Sequence, residues 1–161
     1  LGRKRLVRTS STPGCTRQVN FFYARARDGA AFHLVDLPGY GYAKRSKGER
    51  ASWGRLLERY LGHRDWLRAV VLLVDARRGL GEDDQQLVDF VQSRDPKRAA
   101  PVILVATKVD KIAKSKRKAA LNKLAARHDG LIIPVSALTG EGMARLWKAL
   151  RQAAHVGLAD S

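Results

Sequence analysis

The chain has 161 residues, 45% of them apolar, enough to bury the core of one domain and too few for several. With 31 Lys and Arg against 15 Asp and Glu, the net charge is +16, which points to a polyanionic partner: nucleic acid first, an anionic membrane surface second. A single cysteine, Cys15, excludes an intramolecular disulfide framework and a zinc site built on cysteine pairs.

Residues 19–26 and 31–35 flank the tight-turn pair Asp28-Gly29 and are expected to pair as an antiparallel hairpin. Trp53, Leu56, Leu57, Tyr60 and Leu61 recur at i, i+3, i+4, i+7 and i+8, the spacing of an amphipathic helix. Residues 69–74 are a continuous apolar run, the pattern of a strand covered on both faces. Three acids, Glu82, Asp83 and Asp84, then open a helix with Leu87, Phe90 and Val91 inward. Residues 102–105 read as a second strand covered on both faces, and residues 114–127 as a basic helix with Leu121, Leu124 and Ala125 inward. Residues 131–135 contain Pro134, which places that strand near a sheet edge. Met143, Leu146, Trp147 and Leu150 mark the last helix, with Trp53 and Trp147 expected in the core. Strands alternating with helices argue for an α/β sheet with helices on both faces. Both long apolar runs fall short of the ~20 residues that a membrane helix needs.

The charge is concentrated. Residues 1–27 hold seven basic side chains and no acid, residues 40–68 eight against three acids, and residues 108–127 eight against one. Residues 75–95 reverse the balance, with six acids against three arginines. One side of the domain is therefore expected to be less basic than the rest.

Four loops carry residue types suited to a nucleotide, which α/β sheets bind outside the carboxyl ends of their strands. Asp36, Leu37, Pro38 and Gly39 follow a strand; the carboxylate can hold Mg²⁺ through a water and the glycine N–H can approach a phosphate. The same tetrapeptide also suits a plain turn. Thr107, Lys108, Val109 and Asp110 end the run of residues 102–105. A carboxylate there can accept from N1 and N2 of guanine, a donor pair that adenine lacks, while the lysine stem covers the base. Ser136 and Ala137 are small enough for a backbone N–H to reach the base oxygen. The Ser/Thr-rich stretch of residues 10–16 precedes the first strand, and a threonine hydroxyl there can ligate Mg²⁺ or simply face water.

Order and spacing join these loops into the pattern of a GTPase G-domain. Three longer strings, RTSSTPG from Arg8, VNFF from Val19 and LVDLPGYGYAK from Leu34, closely resemble the EngB (YihA/YsxC) family of bacterial ribosome-biogenesis GTPases over residues 1–152. The resemblance implies a Ras-like P-loop G-domain of three α/β/α layers over residues 1–155, followed by a short tail of residues 156–161. It implies GTP/GDP and Mg²⁺ as cofactors. Gly14, Cys15, Thr16, Arg17 and Gln18 match switch I, with Thr16 as the metal ligand. Asp36 to Gly39 match the third nucleotide motif, Thr107 to Asp110 the guanine-specificity motif, and Val135, Ser136 and Ala137 the last base-contacting loop. Tyr40 stands where Ras-type enzymes place a water-orienting glutamine, which implies slow intrinsic hydrolysis. Cys15 stands where the family usually has lysine.

No G-x-x-x-x-G-K-[ST] occurs in the 161 residues, and the sequence opens on Leu rather than Met. The expectation is an N-terminally shortened G-domain lacking its first strand, its P-loop and most of its first helix. Such a chain would bind guanine nucleotide poorly. The resemblance further implies a cytoplasmic bacterial monomer, without membrane insertion, that acts in large-subunit assembly, with a family link to septum formation. Its basic segments 1–27, 40–68 and 108–127 would meet ribosomal RNA. Two function classes fit these residues: a GTP-driven switch in ribosome assembly, and a nucleotide-independent basic RNA-binding fragment.

Overall fold

The computed structural model describes residues 19–25, 31–37, 54–55, 60–61, 66–93 and 100–155. The Asp28-Gly29 turn, the helix positions Trp53, Leu56 and Leu57, and residues 156–161 lie outside them. The chain divides into two compact units, Leu1–Tyr60 and Leu61–Ser161.

In the first unit, β1 (Asn20–Arg25) and β2 (Ala31–Asp36) pair antiparallel, with Phe22 opposite Leu34 and Ala24 opposite Phe32. Alternation turns those four residues to one face and leaves Phe21, Tyr23 and His33 on the other. Ala24 is buried while Phe21 and Tyr23 are exposed, as expected of a sheet with one solvated face. The Tyr23 and His33 rings lie 5.3 Å apart across the strands, and the Phe21 ring is 6.3 Å from that of Tyr60. The expected hairpin forms.

In the second unit, β3 (Val70–Asp75), β4 (Val102–Thr107) and β5 (Ile132–Pro134) form a parallel sheet in the order β3-β4-β5. Three helices connect or follow them: α1 (Glu82–Gln92), α2 (Lys114–Ala125) and α3 (Met143–His155). Strand β4 is buried along almost its whole length, the reason for its unbroken apolar run. Ile103 and Val105 pack with Ile133, Val135 and Ala149 of α3, and Ala69, Leu146 and Ala153 close over them. Helix α1 packs against β4 and α2 against β5.

Four burial expectations are corrected. Strand β3 is covered on one face only: Leu72 and Val74 are buried, but Leu73 is 66% exposed. It lies at an edge of its sheet, where α3 covers β4 and β5 instead. Ala125 is exposed, because α2 buries only Leu124 fully and the next side chain along the helix points away from that contact. Met143 is also exposed, and the deepest residue of α3 is Ala149, whose small side chain lets the helix approach the sheet. Trp147 is only half-buried. Pro134 does sit on an edge strand, where a residue without an N–H costs no ladder bond.

Asp84 is buried as a charge, and its position near the start of α1 explains why. Its carboxylate accepts from Gly81 N at 2.8 Å and from Arg78 Nη2 at 2.7 Å, closing the helix start. His128 is the opposite case, because both ring nitrogens are buried with no hydrogen-bond partner among the described residues. An unpaired buried polar group costs about 1–3 kcal/mol. His128→Leu is therefore expected to raise the urea midpoint, by about 1 kcal/mol in stability, and an unchanged or lower midpoint would refute that cost.

Candidate guanine-base site

The carboxyl ends of β3, β4 and β5 converge on one set of loops. Asp75 pairs in register with Thr107, and Ala76 N donates to Thr107 O at 2.9 Å. Thr107 Oγ1 donates to Val74 O at 3.0 Å, so this hydroxyl ties β4 to β3. Lys108 then adopts the left-handed region, φ 59° and ψ 36°, and is the one non-glycine with positive φ among the described residues. That conformation costs an L-residue roughly 1–2 kcal/mol and turns the chain sharply out of the strand. A short 3₁₀ turn, Val109–Lys111, follows. Val109 is buried beneath it, and its N–H donates to Val135 O at 3.3 Å.

This turn brings Asp110 to the loop after β5. Ser136 Oγ, wholly buried, donates to Asp110 Oδ1 at 2.7 Å and accepts from Thr139 N at 3.1 Å. The Ser136 hydrogen bond holds the Asp110 carboxyl below the usual carboxylate range. A fixed anion at a loop mouth, with Oδ2 only 3.9 Å from Lys111 Nζ, is an acceptor awaiting donors. Ala137, next along, is exposed, and its backbone N–H makes no hydrogen bond among the described residues. The Ser136 hydroxyl thus joins the loop that carries the acceptor to the loop that carries the donor.

The loop owes its shape to two glycines and one clamp. Gly140 and Gly142 have φ of +80° and +76°, and a Cβ on Gly142 would lie 2.0 Å from Pro134 O. Ser136 N donates to Glu141 O and Gly140 N to Ser136 O, both at 2.9 Å. Arg117 of α2 donates from Nη1 to both carboxylate oxygens of Glu141 at 2.9 Å and from Nε to Ile112 O at 3.1 Å. One guanidinium thus fastens both base-side loops.

Asp75 forms a second fixed anion. Arg77 meets it from Nη2 at 2.6 Å, Nε at 2.9 Å and backbone N at 3.0 Å, and Lys108 Nζ lies 3.3 Å from Oδ2. Arg77 holds the Asp75 carboxyl well below the usual range. A depressed carboxyl contributes stability that is complete above the ordinary pKa of about 4 and is lost as pH falls through its folded value. The unit is therefore expected to lose stability to urea below about pH 4, and Asp75→Asn to flatten that loss. A mutant as acid-sensitive as wild type would exclude Asp75 as a source.

Thr107 to Asp110 and Val135 to Ala137 are thus brought together. Asp36 and Leu37 lie at the end of β2 in the other unit, both half-buried, with Asn20 Nδ2 donating to Asp36 Oδ2 at 3.4 Å. Gly14, Cys15, Thr16, Arg17, Gln18, Pro38 and Gly39 lie outside the described residues. Sequence reasoning missed Asp75, Arg77, Arg117 and Glu141. A signal existed for Asp75, an acid ending an apolar strand, whereas Arg117 is one cation among many in a basic helix.

Residues 1–108 match the family model described as 50S ribosome-binding GTPase. The chain is 47% identical over 154 residues to a probable GTP-binding protein EngB of Oceanobacillus iheyensis, covering 93% of this chain and 75% of that protein. The chain belongs to the EngB family of GTP-binding proteins. A second EngB, from Alkaliphilus metalliredigens, is 45% identical over 93% of this chain and 70% of its own length. Among solved structures, Era bound to MgGDPNP and nucleotides 1506–1542 of 16S ribosomal RNA superimposes with a TM-score of 0.67. It is 25% identical over 90% of this chain and 47% of that one. The cytosolic domain of the Thermotoga maritima FeoB iron transporter, in a GDP form, gives 0.53 at 23% identity over 90% of this chain and 52% of that one, a likeness of fold. The fold of this EngB relative is the Ras-like P-loop G-domain. Among its described residues no helix is long and apolar enough to cross a membrane.

Proposed function

We propose that this chain is a guanine-nucleotide switch whose basic surface contacts ribosomal RNA of the large subunit. The observation that carries the nucleotide half is the Asp110 carboxylate, oriented by buried Ser136, whose neighbour Ala137 has a backbone N–H with no partner among the described residues. Guanine presents two adjacent donors, N1 and N2, and an acceptor, O6. A fixed carboxylate next to a free N–H is complementary to that edge, whereas adenine would leave the carboxylate unpaired. The Lys108 stem would lie over the base. Thr16 would ligate Mg²⁺, with Asp36 near it through a water, and Gly14 to Gln18 and Gly39 would follow the phosphates. GTP supplies the γ-phosphate whose loss resets such a switch.

The phosphate cradle is the weaker half, since the 161 residues contain no G-x-x-x-x-G-K-[ST]. A polypeptide of these residues alone is expected to bind GDP more weakly than micromolar by calorimetry. Placing a segment with that motif ahead of Leu1 is expected to restore tight binding. Micromolar or tighter binding by the 161 residues alone would overturn the expectation.

The RNA half rests on the net charge of +16 and its concentration in residues 1–27, 40–68 and 108–127. A cytoplasmic monomer acting in ribosome assembly, with a link to septum formation, is the cellular reading that accompanies EngB membership.

A further inference from the structure

Trp66 is 83% exposed, the largest such fraction among the exposed large apolar side chains described. Two residues on, the Arg68 guanidinium carbon sits 5.6 Å from the centre of its ring. Water-facing indoles are rare without a partner, because burying one removes a large apolar area from water. Here the cation lies over the ring at cation–π distance, and most of the indole surface still faces water.

The segment is anchored on its carboxyl side. Val70 N donates to Pro101 O at 3.0 Å, and Ala69 packs on the Ile103–Val105 core together with Ala149 and Ala153 of α3. Trp66 and Arg68 thus precede the amino end of β3. Asp75 closes its other end, about 20 Å away at ~3.3 Å per residue. The C-terminal half of α3, which reaches the same end of the sheet, carries Lys148 and Arg151.

We propose that Trp66 and Arg68 form a stacking platform for an unpaired RNA base, remote from the guanine site. This rests on the reading that the basic surface binds RNA and names where a base would dock. Charge selects the occupant. A chain of net charge +16, with Arg68 ending its second basic segment, favours a phosphate backbone passing the indole over an apolar protein surface. Stacking is tolerant of base identity, so the platform would grip single-stranded RNA of any sequence.

The test uses the 161-residue chain and a fluorescein-labelled, unstructured RNA 12-mer, followed by anisotropy at 50 and 200 mM salt. Trp66→Ala is expected to weaken binding about tenfold and to leave the salt slope unchanged, because the slope counts phosphates and not stacked bases. Trp66→Phe is expected to retain most of the affinity. Unlabelled RNA is expected to quench indole emission in the wild type and to do so much less in Trp66→Phe, a readout that a folding defect would not produce. If wild type binds RNA with a steep salt slope and Trp66→Ala binds equally well, the platform is wrong and the RNA reading stands. If wild type fails to bind at 50 mM salt, both fall.

Discussion

Asp110→Asn is expected to weaken guanine-nucleotide binding by about 10²–10⁴-fold while leaving adenine-nucleotide binding unchanged. The substitution keeps an oxygen for Ser136 Oγ, which now sits 2.7 Å from Oδ1, so the loop stays in place. It removes the negative charge and replaces one acceptor oxygen with an NH₂ group. Guanine N1–H and N2–H then meet a neutral amide with one donor facing a donor. Hydrogen bonds to a charged group are worth about 1.5–3 kcal/mol each, which sets the size of the loss. Adenine never used the carboxylate and has nothing to lose. The measurement is competition by GDP and ADP against a fluorescent guanine nucleotide, in protein supplied with the G-x-x-x-x-G-K-[ST] segment. Equal losses for both nucleotides would remove Asp110 from base selection.

Gly142→Ala is expected to be the most damaging single methyl in the second unit, at about 3–5 kcal/mol by urea denaturation. The new Cβ would lie 2.0 Å from Pro134 O, a backbone atom that cannot move without disturbing β5. The φ of +76° adds strain for any L-residue. Gly140→Ala separates the two effects. Its φ is +80°, yet a Cβ there meets nothing within 4 Å, so it should cost only about 1 kcal/mol. Similar losses at the two glycines would mean that backbone conformation, and not the Pro134 carbonyl, dictates glycine at position 142.

The sheet and the base-side loops were legible because their signals are local. Strand β4 reads as an unbroken apolar run because both of its faces are buried, and Asp110 follows directly after it, as Ser136 follows the short edge strand β5. The hairpin was legible from the Asp28-Gly29 pair set between two β-rich stretches. What the chain concealed depends on neighbours distant in sequence. An apolar run cannot say that Leu73 will face water, since its exposure follows from where α3 lies. Nor does a lysine- and arginine-rich helix mark Arg117 as the cation that will reach Glu141, 24 residues further on. The left-handed turn at Lys108 was equally silent, because lysine carries no preference for it.

Strand β5 is three residues long and lies at the sheet edge, and Pro134 at its end offers no N–H. Its attachment rests on bonds such as Leu104 N to Leu131 O at 2.9 Å and Val135 N to Ala106 O at 2.8 Å. Yet Ser136 and Ala137 hang directly from it. The least secured strand of the unit thus carries half of the proposed base site. Sub-global opening that frees β5 and α3 would erase the proposed guanine site while β3, β4 and α1 stay folded. A nucleotide held across Asp110 and Ala137 would oppose that opening, so ligand occupancy and the protection of β5 amides against solvent exchange are thermodynamically linked.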